Sequence, residues 1–283
     1  MSRTQRAFRP AVVGLEDRIA LSTGVGFAQS GRDPQSLAAI SGPSTVPVVG
    51  ADEPFVSAND WMAQHRQYAA RARQGGNPVV VLGDSISFLW GDPHRKVPRD
   101  EVLKPVGTTA WRATLGADRA ANFGIVGDST QNLLWRVEHG ELAGHPKVAV
   151  VLIGINNVLL GDTADETAAG IAAVVQAVRA ASPTTHVLLL GVLPPFSDPN
   201  DPFRVVVRAV NSRIAGLADG QVTYLDVGPA FVNPDGTNKF GLIGAGGNHP
   251  TVQGYDTLSA TLQPVIASLL AQPHAAGRHA RAR

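Results

Sequence analysis

Four short segments carry the side chains that could do chemistry: Gly83-Asp84-Ser85, Asn122-Phe123-Gly124, Gly154-Ile155-Asn156-Asn157 and Asn248-His249-Pro250. Each also has a plain structural use. Ser85 could cap a helix, the asparagines could sit in a left-handed turn, Gly124 could answer to backbone geometry alone, and His249 could pack at a helix start. Together they suit acyl transfer. A serine hydroxyl becomes a nucleophile when a base takes its proton, and His249 is the natural base. The oxyanion of the tetrahedral intermediate needs preorganised donors, which the N–H groups of Ser85 and Gly124 and the Asn156 carboxamide can supply. Such a base implies a pH–rate profile rising near the pKa of an ordinary histidine.

The elements that must position these groups can be read from the pattern. Continuously apolar runs at 78–83, 120–124, 148–154, 186–193 and 222–226 read as strands covered on both faces. Helical patterns separate them, in "STQNLLWRVEHG", "TADETAAGIAAVVQAVRAA" and "DPFRVVVRAVNSRIAGLA", and "VQGYDTLSATLQPVIASLLA" follows the last strand. Ahead of them, Trp61, His65 and Tyr68 fall on one helical stripe that Gly75-Gly76 ends. The alternation implies right-handed crossovers and a doubly wound α/β layer. In such a sheet ligands bind outside the carboxyl ends of the strands, where three of the four segments fall. His249 precedes the last helix.

Composition limits the rest. The 283 residues are 44% hydrophobic and 17% charged, with a net charge of +1. That balance argues against nucleic acid as the main partner, because phosphate binding needs a concentrated basic face. There is no cysteine, which excludes disulfides and thiolate chemistry. No apolar run is long enough to cross a bilayer. The turn after the first strand lacks the G-x-G-x-x-G spacing of a dinucleotide site. The eight histidines are scattered, so neither a metal nor an organic cofactor is expected. Residues 1–52, rich in Gly, Ser, Pro and Ala, read as disordered leader and linker, 53–273 as one domain, and 274–283 as a basic disordered tail.

The four segments, in this order, resemble those of the SGNH (GDSL) hydrolases, as "LGDSIS", "NFGIVGDST", "GINN" and "HPTVQGY". "NFGIVGDSTQNLLWRVEHGEL" followed by "VVLIGINN" is similar to the catalytic subunits of platelet-activating-factor acetylhydrolase, as are "WMAQH" and "YLDVGPAFVNPDGT". The resemblance implies a three-layer α/β/α sandwich with a flavodoxin-like parallel five-stranded sheet. It implies hydrolysis of small acyl esters of a lipid or carbohydrate, with Ser85 as nucleophile, His249 as base, and Ser85, Gly124 and Asn156 as the oxyanion hole. It also makes a homodimer a natural expectation. The N-terminal "RPAVVGLEDRIALS" resembles a Leu-Glu-x-Arg tag of exported bacterial proteins, which implies export or the cell envelope; without it the cytoplasm is expected.

The family's aspartate, three residues before the histidine, is absent, for that position is Gly246. Three accounts are open: a Ser-His dyad with a backbone carbonyl on the imidazole, a carboxylate recruited from elsewhere, with Asp235 the first candidate, or a binding protein without turnover. An acyltransferase on the same scaffold is a further alternative. Asp84 is expected to fix its turn through backbone bonds, Asp128 to cap the following helix, and Asn157 to support the loop of Asn156.

Overall fold

Runs of β-branched and aliphatic residues, with no polar alternation, can form strands only where both faces are covered, and the strands are placed accordingly. The computed structural model describes residues 43–50, 56–93, 104–116 and 120–272. The Leu-Glu-x-Arg segment, the rest of residues 1–42 and the basic tail lie outside the described residues. β1 (Val79–Gly83), β2 (Ala121–Gly124) and β3 (Val148–Leu152) are buried at every residue. β4 (His186–Leu190) and β5 (Val222–Leu225) complete a five-stranded sheet in the order β2-β1-β3-β4-β5. All pairings are parallel, with Gly83 opposite Gly124 on one side and Leu152 on the other. The chain leaves β1 outward to β2 and then crosses to β3, so the topological switch lies between β1 and β3.

The helices are α1 (Ala58–Gln74), α2 (Ser85–Trp90), α3 (Thr108–Thr114), α4 (Thr130–Arg136), α5 (Ile155–Leu160), α6 (Ala164–Ala181), α7 (Pro202–Ile214), α8 (Gly228–Phe231) and α9 (Val252–Ala271). A wide turn, Val137–Glu141, prolongs α4. The starts are written locally. Ser57 accepts the Asp60 N–H, Thr163 and Glu166 form a capping box, Asp201 precedes Pro202, and Thr251 accepts the Gly254 N–H. α4 and α7 pack against α6, and α1 against the wide turn; α9 packs with α3 and α8. With the strands buried between these two groups, the result is a three-layer α/β/α sandwich.

The element that carries the site is the most enclosed. Every residue of α2 is buried. Trp90 stands edge-on to Trp111 at 5.6 Å and donates its Nε1–H to Ser259 Oγ (3.0 Å), while Tyr255 donates its hydroxyl to the Ile86 carbonyl (2.7 Å). These bonds tie α2 to α9, and so join the helix that begins at Ser85 to the one that follows His249. Residues 43–50, placed by composition in the linker, lie against this domain. Thr130 Oγ1 donates to the Ser44 carbonyl (3.0 Å), and the Val48 N–H to the Gln131 carbonyl (3.1 Å). Backbone bonds of that kind leave no trace in composition.

Candidate active site

β1 turns into α2 at Gly83, where a Cβ would run into the Leu152 carbonyl and the Ser87 hydroxyl. Asp84 caps the helix, its Oδ1 accepting the Ile86 N–H at 2.9 Å. Ser85 is thereby relieved of capping, and its Oγ lies 2.8 Å from His249 Nε2. The two residues are 164 positions apart in the chain. His249 lies within the loop closed by an isolated bridge, Ile243 to Pro250, two residues ahead of Thr251, the cap of α9. Burial with no compensating charge pushes the imidazole down to about 4, below the ordinary histidine range that the sequence suggests.

Gly246 carries no side chain that could orient the ring. Asp235 does not replace the missing carboxylate. It is exposed, and its Oδ1 accepts the Thr237 N–H (2.9 Å) and hydroxyl (2.6 Å), an Asx turn that closes its own loop. Those bonds hold the carboxyl below its usual range.

Asn156, at the start of α5, donates one Nδ2–H to the Asp128 carbonyl at 2.8 Å and has a second to offer. Asn157, next in the chain, ties the start of α5 to α4 and to Asp162. Its Oδ1 accepts the Thr130 N–H (2.9 Å), and its Nδ2 lies 2.9 Å from Gln131 Oε1 and 3.0 Å from Asp162 Oδ2.

Gly124 requires correction as an oxyanion donor. Its N–H is already given to Asn122 Oδ1 at 2.8 Å, within the buried end of β2. A Cβ there would meet the Phe88 nitrogen and the Ser87 Cβ, so the glycine serves the close approach of β2 to α2. Asn122 completes this junction by donating to the Ser87 (2.6 Å) and Gly91 (3.1 Å) carbonyls. The Asp128 carbonyl that accepts from Asn156 directly follows Gly127, whose φ of +82° turns the loop ahead of it.

Asp128 is also not a cap. Ser129 takes that place, its N–H (3.0 Å) and hydroxyl (2.7 Å) donating to Asn132 Oδ1. Asp128 belongs to a buried charge network that the sequence reading missed. Arg136, fully buried, donates its Nε–H to Asp128 Oδ2 (2.7 Å). Its two terminal nitrogens reach the Phe123 carbonyl (2.7 Å), Glu141 Oε2 (2.5 Å) and the Gly83 carbonyl (3.0 Å). Trp61 donates to Asp128 Oδ1 (2.6 Å), and His65 Nδ1 lies 2.9 Å from Glu141 Oε1. One guanidinium therefore holds the carbonyl ends of β1 and β2 and the carboxylate of Asp128, whose own carbonyl accepts from Asn156. The available signal was an arginine on the apolar stripe of α4, next to Val137 and one turn after Leu133, with Asp128 and Glu141 to either side. Burial raises Asp84 to about 7, with Asp128 adding to the rise, and raises Asp128 to about 6 against the pull of Arg136. Burial alone would lower Arg136, but Asp128 and Glu141 outweigh it and hold the guanidinium above its usual value.

Among the described residues no group of three His, Asp or Glu side chains is placed to hold a metal ion, and no helix is long and apolar enough to cross a membrane.

Comparison with known proteins agrees with the fold. Platelet-activating factor acetylhydrolase IB subunit alpha1 of Homo sapiens is 34% identical over 224 residues, spanning 77% of this chain and 87% of the relative. Subunit alpha2 of Rattus norvegicus is 32% identical over 238 residues, spanning 81% and 93%. A GDSL-like lipase from Bacteroides thetaiotaomicron superposes with a TM-score of 0.57 at 21% identity, covering 73% of this chain and 98% of that one. The family model of the GDSL-like lipases and acylhydrolases matches residues 81–257, from the middle of β1 to within α9, and the chain therefore belongs to that family.

Proposed function

We propose that this acylhydrolase-family chain is a serine esterase for short acyl groups, working through a Ser85–His249 dyad. The observation that carries the proposal is the 2.8 Å contact between Ser85 Oγ and His249 Nε2 at the β1 edge of the topological switch. His249 Nε2 takes the hydroxyl proton as Oγ attacks the ester carbonyl. The oxyanion is held by the N–H groups of Ser85 and Gly127 and the free Nδ2–H of Asn156. The alkoxide leaves with the proton from His249. Water then attacks the acyl-enzyme, giving its proton to His249, which returns it to Ser85 Oγ as the acid departs. With burial keeping the imidazole neutral, His249 is ready as a base far into the acid range.

The acetylhydrolase relatives, and the lack among the described residues of a carboxylate bonded to His249, support this version over the other accounts of Gly246. An acetyl ester of a lipid or carbohydrate is the substrate class that fits. Hydrolysis of p-nitrophenyl acetate and labelling by a fluorophosphonate probe test the reading. Both should vanish in Ser85→Ala, and turnover that survives this substitution would remove Ser85 from its role.

A further inference from the structure

With glycine at 246, something other than an aspartate must hold His249 against Ser85. The loop that carries the histidine is fastened to the loop after β4 by one backbone bond, in which the Phe196 N–H donates to the Gly247 carbonyl. Both ends of that bond are unusual. Phe196 is held at φ +53°, a left-handed conformation costing a side-chain-bearing residue roughly 1–2 kcal/mol. Gly247 has φ +84°, and a Cβ there would strike the Phe196 ring. Strain of this kind persists only where surrounding bonds impose it.

The imposing group is Arg204, buried on the first turn of α7. One terminal nitrogen donates to the Phe196 carbonyl (2.7 Å) and Asn238 Oδ1 (2.8 Å), and the other donates to the Gly236 carbonyl (2.7 Å). From Gly247 the bonding runs on to the base, for the Gly247 N–H donates to the Gly244 carbonyl (2.8 Å) and the Gly244 N–H to the His249 carbonyl (2.9 Å).

We propose that Arg204 is a positioning residue for His249, acting through Phe196 and Gly247 to place the imidazole by its backbone where this chain has no carboxylate to place it by its ring. The inference rests on the dyad reading for its catalytic consequence, but the clamp itself can be tested without turnover.

Full-length Arg204→Met, Arg204→Lys and Gly247→Ala are the variants. Lysine keeps the charge but cannot span three acceptors as a planar fork does. Gly247→Ala breaks the same link from the other side, and carries the test if Arg204→Met does not fold. Each should lower kcat for p-nitrophenyl acetate by about 10²-fold, the scale of an ångström-sized misplacement, with KM within about twofold. In a His249→Ala background the Arg204 substitutions should cost nothing further, since they act through the imidazole. NMR titration of His249, assigned by its loss in His249→Ala, should move from the depressed wild-type value toward that of a hydrated histidine. A His249 titration unchanged in both Arg204→Met and Gly247→Ala overturns the proposal, as does an undiminished loss of rate in the His249→Ala background. A wild type that neither turns over nor labels, but whose His249 titration shifts in these variants, keeps the clamp and removes the esterase reading.

Discussion

His249 has the least ordinary chemistry of the candidate site residues, because its environment favours the neutral form that the proposed role of base requires. Its value of about 4 predicts a profile of kcat/KM that stays level on acidification through the usual histidine range and falls only well below it. Measurement between pH 4 and 8 checks this, and a half-maximum near 6.5 would mean a hydrated or charge-paired ring. Asn156 is assigned by its amide alone. In the proposed mechanism its bond to the oxyanion exists only in the transition state, so Asn156→Ala should lower kcat by about 10²–10³-fold with KM nearly unchanged. Steady-state kinetics on p-nitrophenyl acetate separates the two parameters.

Between elements the critical contact is that of β2 with α2, made by Gly124 and Asn122. Glycine allows the backbones to approach, and the Asn122 side chain then serves three buried backbone groups, the Gly124 N–H and the Ser87 and Gly91 carbonyls. Each such group left unsatisfied costs about 1–3 kcal/mol. Asn122→Leu keeps the volume and removes all three bonds, so it should cost at least about 3 kcal/mol in urea unfolding. A cost under about 1 kcal/mol would mean that water or a local shift replaces the side chain. Arg136 does similar work at the carbonyl ends of β1 and β2. Arg136→Met should cost about 3–5 kcal/mol, because Asp128 and Glu141 are left buried without their counter-charge. Thermal melts read this directly, at roughly 2–4 °C per kcal/mol for a domain of this size.

For the whole molecule, the buried titratable groups oppose one another as pH changes. At His249 the unfolded chain takes up a proton near 6.5 that the folded chain refuses until about 4, so its contribution to stability is lost as pH falls through that window. At Asp84 the folded chain keeps, up to about 7, a proton that the unfolded chain gives up near 3.8, so its contribution is lost as pH rises. Asp128, raised to about 6, has the same sign as Asp84. Two raised carboxyls outweigh one depressed imidazole, so melting temperature should decline as pH rises from about 4.5 to 7 and level off above it. Asp84→Asn keeps the acceptor for the Ile86 N–H and abolishes the ionisation. It should raise the melting temperature at pH 8 by a few degrees and leave it almost unchanged at pH 4, and an equal gain at both would contradict the buried proton.

The sequence by itself determined the sandwich, its five strands and helix patterns, and the four segments that carry Ser85, Gly124, Asn156 and His249. Periodicity, turn residues and caps are properties of neighbours along the chain, and they name which elements exist and where each ends. Only the tertiary structure decided the partners. It gave the Gly124 N–H to Asn122 and the Asn156 amide to the Asp128 carbonyl. It drew Asp128 away from a capping role to Arg136, kept Asp235 in its own turn, and laid residues 43–50 on the domain. It also assigned the fastening of the His249 loop to Arg204 and Phe196, which no pattern in "LPPFSDPNDPFR" signals. Residues 43–50 and the Arg204 clamp are held by hydrogen bonds between groups distant in sequence. Even between near neighbours such as Gly124 and Asn122, the choice of partner is fixed by directions in space that no local pattern encodes.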